Sequence, residues 1–401
     1  MRHIMGTILV SGILFASLCL QSTCTAFAES VSDDANETGG TYTATEDDES
    51  AVDVSGTTEA VISDAVISKE SGDASSADAS SFRGVNAAVR VYDQASLTIS
   101  DSEISADASN ATGVFAYDGG TIDLRDCTVT VTGGGAGGVQ VAGGGTLTGT
   151  NLTVTSASKA AIRSDRGGGT MVLDGGTYTS TGKNGCPAIY STADITVKNA
   201  VCASEQSRAV IIEGKNSVTL ENTVISGNDQ STKEGSVKAN VLLYQSASGD
   251  ASEGTSVFSM TGGEMTCNSG AMFYCTNTSS VINLNKAALN LSEDESLLIV
   301  SAGRWGKDGS NGGSCVLNAN EQTLEGSILV DEISSLEMNL TGTVYTGSVQ
   351  GDGDVTVTLD EDSTWVLTGD SSISELNGEM DQIDLNGFTL YVNGEEVSGY
   401  N

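Results

Sequence analysis

The chain has 401 residues, and 53 Asp and Glu against 17 Lys and Arg give it a formal net charge of −36 at pH 7. A field of that sign repels nucleic acid and anionic lipid, and self-repulsion favours a soluble monomer. The only histidine is His3, inside the export signal described next, so the mature chain has no imidazole for a Ser-His or Cys-His nucleophile, a His-ligated zinc or a histidine base.

Arg2 precedes an apolar stretch from Ile8 to Leu20, and Ala26-Phe27-Ala28 follows as a small-x-small cleavage site. This predicts a signal peptide over 1–28 and an extracellular mature protein, with surface association left open. The stretch is short for a membrane span, and no second apolar run of about 20 residues occurs. Residues 29–58 are acidic and rich in Ser, Thr and Gly, which predicts a disordered leader.

A repeat of about 25 residues begins at residue 59. Its first coil, 59–87, is atypical: Val61-Ile62 and Val66-Ile67 precede a Ser/Ala/Asp-rich segment, 71–81. The pattern then becomes regular, with a small residue before an alternating run, as in Ala88-Val89-Arg90-Val91-Tyr92 and Gly113-Val114-Phe115-Ala116-Tyr117. The apolar anchors are Val89, Val114, Val139, Ile162, Ile189, Val210, Leu242, Met272 and Leu298. After each anchor comes a polar turn and a second alternating strand, such as Leu97/Ile99, Ile122/Leu124 or Met171/Leu173, and then a shorter third strand around Val129, Leu152 or Ile225.

Period-2 alternation puts one face of every strand inward, and stacking pairs each strand with its copy about 4.8 Å away. The predicted fold is all-β: a right-handed parallel β-helix over 59–378, with three strands per coil and about 12 coils. Thinner rungs at Leu336/Met338/Leu340, Val355/Val357/Leu359 and Trp365/Leu367 lead to capping strands in 379–401, with a strand pair between Ile383 and Val392.

Six cysteines follow the signal, without a Cys-x-x-Cys, and their spacing leaves both free thiols and disulfides open. No cofactor is implied and no metal site is assigned. The Gly351-Asp-Gly-Asp354 sequence reads as a plain turn.

The coils resemble those of pectin-lyase-type β-helices. More narrowly, the segments 81–89, Gly113-Val-Phe-Ala-Tyr-Asp-Gly-Gly120, Ala161-Ile-Arg-Ser-Asp-Arg-Gly-Gly-Gly169 and Trp365-Val-Leu-Thr-Gly-Asp370 resemble a family of exported, adhesin-like bacterial proteins. The resemblance implies the fold and the compartment; members of that family largely lack an assigned activity. Of the polygalacturonase-type motifs, Gly-His-Gly is excluded without histidine, and the Asp-Asp pairs at 33 and 47 fall in the leader.

If the anchors face inward, the alternate positions form an outward stripe: Arg90/Tyr92, Phe115/Tyr117, Gln140/Ala142, Arg163/Asp165, Tyr190/Thr192 and Ile211/Glu213, continuing to Leu243/Gln245 and Phe273/Cys275. Aromatic faces beside planar polar groups suit sugar recognition, and mutual stacking along the solenoid would give the same pattern. The expected function is non-catalytic, adhesin-like binding of a glycan or other cell-surface ligand, with Arg90, Tyr92, Phe115, Tyr117, Gln140, Arg163, Asp165, Tyr190 and Glu213 as binding residues. One alternative is a polysaccharide-degrading enzyme using Asp165 and Glu213, whose backbones should lie about 9.6 Å apart, near the inverting-glycosidase range. Another is a structural surface protein without a specific ligand. Trp305, in the loop from Gly303 to Gly313, is either an anchor on the solenoid wall or a ligand contact.

Overall fold

A computed structural model describes residues 25–27, 29–31, 36–183, 185–233, 235–292 and 295–397. The expected signal peptide lies outside these apart from 25–27, whose backbone pairs in parallel with 41–43.

The apolar alternation produces the expected solenoid of stacked parallel strands. One sheet has 13 strands, all parallel. A larger one has 23, because strands such as Gly145–Ser156 and Gly169–Lys183 run unbroken through a corner and merge two faces. Inward positions stack in columns. In the larger sheet Leu97, Ile122, Leu147, Met171, Ile195 and Val218 lie in register on successive coils, and each is at most 2 % exposed. A continuous column of this kind excludes water along the whole axis, at roughly 25 cal/mol per Å² of apolar surface buried.

One corner recurs. Asp101, Asp126, Asn151, Asn199 and Asn222 each adopt a left-handed backbone, with φ between 48° and 54°, just before the third strand of their coil. Asp and Asn tolerate that conformation better than other residues with a Cβ.

The stretch expected to be a disordered leader departs from the reading over its described parts, 29–31 and 36–58, the first of which pairs in parallel with Val52–Val54. Thr41–Ala44 and Val52–Val54 pair with Val66–Lys69 and Val89–Val91 as regular rungs. Tyr42, Ala44, Val52 and Val54 supply the inward positions. Its acidic residues also have a partner: Lys69 is fully buried, its amino group donates to the Glu46 carbonyl, and the 46–49 carboxylates surround it. A mean composition hides four well-placed apolar side chains, and the cation that its carboxylates meet comes from the next coil, at Lys69.

The C-terminal end extends the solenoid before closing it. Strands at 323–325, 344–346, 364–366 and 383–384 stack as a 4-stranded sheet. Leu390–Val392 pairs in parallel with Ser371–Ile373 and antiparallel with Glu395–Val397. The expected pair between 383 and 392 is thus two continuing rungs, and the antiparallel strand follows them.

Candidate functional site

The outward face of the 13-stranded sheet carries the predicted stripe, but pointing outward does not leave it exposed. Segment 71–81 does not continue a rung: Ala77–Arg83 forms a short helix that lies across this face. Ser76 starts it by accepting from the Ala79 N–H at 3.0 Å, and Gly84 ends it at φ 65°. Phe115 is completely buried under Gly84, where a Cβ would stand 2.4 Å from its ring. Gln140, 1 % exposed, donates to the Ser81 carbonyl at 2.9 Å, and Lys159 donates to the Ser81 hydroxyl at 2.7 Å. Burial, with Arg163 adjacent, lowers the Lys159 amine to about 8.

Asp165 is equally covered. It accepts two hydrogen bonds from Arg163, at 2.7 and 3.0 Å, and stands 2 % exposed. Glu213, 1 % exposed, accepts from the Tyr190 hydroxyl at 2.5 Å and the Tyr244 hydroxyl at 2.9 Å, and also from Ser246. For Phe115, Gln140, Asp165 and Glu213 the expectation of a ligand-facing position is therefore corrected: a helix and a loop from the neighbouring coils cover them. Arg90, Tyr92, Tyr117, Arg163 and Tyr190 remain half-buried. Arg90 stacks over Tyr92 at 4.0 Å and pairs with Asp53 at 3.5 Å. Arg163 stacks over Tyr190 at 4.6 Å.

Further along, the register differs from the sequence reading. Val210 pairs with Val241, and Val241 with Phe273. The inward anchor there is therefore Val241 rather than Leu242, and on the next coil Phe273 joins Met272 in the core. Leu243, Phe273 and Cys275 face the core, while Leu242, Tyr244 and Tyr274 face outward with Ile211. Strand Ala239–Tyr244 is buried at every position, so period 2 carried no information there, and a slip of one residue exchanges the faces.

That exchange assembles a concentrated site. Tyr190, Tyr244, Tyr274 and Trp305 line an open cleft of about 190 Å³, with Ile211 and Leu242 in its floor and Arg208, Lys233 and Arg304 at its edges. Trp305 is anchored on the solenoid wall, as one of the two sequence readings has it. Its ring packs on Tyr244 with centroids 5.0 Å apart, and it lines the cleft. Asn311 holds its loop by donating to the carbonyls of Gly303 and Trp305, at 2.7 and 2.9 Å. Arg304 lies over the same ring at 4.1 Å. Arg208 pairs with buried Asp229 at 3.0 Å and donates to the Val237 carbonyl at 2.7 Å, which fixes the opposite wall. Both walls are insertions between rungs, 228–238 and 301–313.

Tyr244, Tyr274, Arg208, Lys233 and Arg304 were not singled out by sequence reasoning. The available signal was the widening of the repeat on either side of residue 241 and after residue 300. Among the described residues, no three His, Cys, Asp or Glu side chains gather as a metal site, and no helix is long and apolar enough to cross a membrane. No protein-family model and no curated protein matches the chain.

Proposed function

We propose that this chain is an exported, adhesin-like β-helix of the pectin-lyase-like kind that binds carbohydrate without catalysis, and that the cleft beneath Trp305 is the binding site. The observation that carries the reading is the convergence of four aromatic rings with three cationic side chains in one open cleft, in a chain only 5 % aromatic. Ring faces stack on the apolar face of a pyranose, and guanidinium and ammonium groups donate to its hydroxyls or to an acidic substituent. The volume is below the range of drug-sized ligands, so a single terminal sugar is the fitting unit. Export is supported by the N-terminal sequence. Extracellular placement also suits an acidic, soluble chain.

The enzymatic alternative gains no support from its carboxylates: Asp165 is committed to Arg163 and Glu213 to two tyrosines and a serine. A glycan array probed with the mature chain tests the proposal, with binding to a defined set of terminal sugars expected. Reducing ends or unsaturated uronides released by wild type, and lost in Asp165→Asn or Glu213→Gln, would replace it with the enzymatic reading.

A further inference from the structure

We infer that Cys275 and Cys315 are a cross-linking site: in an oxidising medium they join as an intrachain disulfide that ties together the two ends of the segment carrying Trp305. All six cysteines among the described residues are free and buried, and they are not equivalent. Cys127, Cys186 and Cys267 direct their thiols at backbone carbonyls, for example Arg125 at 3.2 Å, Lys183 at 3.0 Å and Gly270 at 3.1 Å. Cys275 and Cys315 direct theirs at each other, with 3.6 Å between the sulfurs.

The fold creates this meeting. Cys275 is an inward position of strand Ala271–Thr276, and Cys315 is the first inward position of strand Ser314–Asn320, on the next coil. The chain returns close to its starting point because Gly313 has no side chain: a Cβ there would stand 2.7 Å from the Cys275 carbonyl oxygen. Forming the bond takes the sulfurs from 3.6 Å to the bonding separation of about 2.0 Å.

The oxidant is a low-molecular-weight disulfide such as oxidised glutathione. One cysteine, as thiolate, attacks it and forms a mixed disulfide, expelling one glutathione thiolate. The second cysteine thiolate then attacks the protein sulfur and expels the other. Two protein thiols are oxidised, one disulfide is reduced to two thiols, and the protons pass to the released glutathiones. The hydrogen bond with the neighbouring Cys275 thiol, together with burial, holds the Cys315 thiol well above the usual range, which makes exchange slow in the closed coil and protects the bond once formed. The bond therefore forms most readily as the coil folds. The ring it closes contains Arg304, Trp305 and Lys307, so the cleft's outer wall becomes tied at both ends independently of what the cleft binds.

The test refolds the mature chain, residue 29 onward with its six cysteines, with oxidised glutathione and again with reductant, alkylates under denaturing conditions and maps peptides. The expected product is a single linked pair, 275 with 315, a mass loss of about 2 Da and four alkylated cysteines. Trypsin provides a second readout, because Arg304 and Lys307 are exposed in the loop. Chains nicked there should remain one species without reductant and separate into two with it, and Cys127→Ser should behave like wild type. Alkylation of all six cysteines after oxidative refolding, or a link to any other cysteine, would overturn the inference. Neither readout depends on a cysteine variant folding.

Discussion

At Asn151 the backbone is left-handed, φ 54°, and the side chain reaches Asp126 on the preceding coil at 3.3 Å. A Cβ in that conformation costs about 1–2 kcal/mol, relieved in Asn by local hydrogen bonding and absent in Gly. Asn151→Ala should therefore lower stability by about 1 kcal/mol and Asn151→Gly by much less, measured by chemical denaturation. The recurrence of Asp or Asn at this corner was visible in the sequence; apolar anchors alone did not bring it out. A second residue-scale consequence concerns Lys159. Its folded value, lowered to about 8 from 10.5 by burial and by Arg163, means that the unfolded chain holds the proton more tightly. Its contribution to stability is then lowest below pH 8, rises as pH climbs, and is complete above about 10.5. The difference in melting temperature between wild type and Lys159→Met should change across that window, with the variant relatively more stable at pH 7. A constant difference from pH 7 to 10.5 would refute it.

Among the elements, the helix Ala77–Arg83 was the least legible. Seven residues, five of them Ser, Ala or Asp beside one Phe and one Arg, have no apolar period of their own, and such a segment is helical only because it packs on the 13-stranded sheet. Its role follows from Gly84, which turns at φ 65° directly over Phe115. Gly84→Ala introduces both an unfavourable backbone and a clash, so it should cost about 2 kcal/mol and make Arg83 more susceptible to trypsin. The strands were far more readable. Leu97/Ile99 and Ile122/Leu124 face inward as their alternation requires, whereas Ala239–Tyr244, covered on both faces, offered no alternation from which to choose a register. Near the other end, Trp365 is fully buried, donates to the Gly347 carbonyl at 2.9 Å and stacks on Tyr345. Trp365→Ala should destabilise by about 3–5 kcal/mol, read as an earlier thermal transition.

For the molecule as a whole, the repeat period was sufficient to predict the solenoid because each coil buries its inward columns only by stacking on its neighbours. The site was less legible for the same reason. Its walls are the insertions that interrupt the period, and nothing in a repeat specifies where two insertions from different coils will meet. The overall negative charge contrasts with Arg208, Lys233 and Arg304 gathered at one cleft, and any acidic sugar bound there should be held less tightly as salt is raised.

The central claim is that the cleft beneath Trp305, and not the whole stripe, recognises carbohydrate. The direct measurement is calorimetric titration of the best sugar from the array into wild type, Trp305→Ala and Tyr117→Ala, with thermal melts alongside. Trp305→Ala should weaken binding by about 1–3 kcal/mol with little change in melting temperature, since Trp305 is half-buried in a loop at the cleft, and Tyr117→Ala should bind as wild type does. Equal affinity for wild type and Trp305→Ala, or no sugar bound by the wild-type chain at all, would contradict the account.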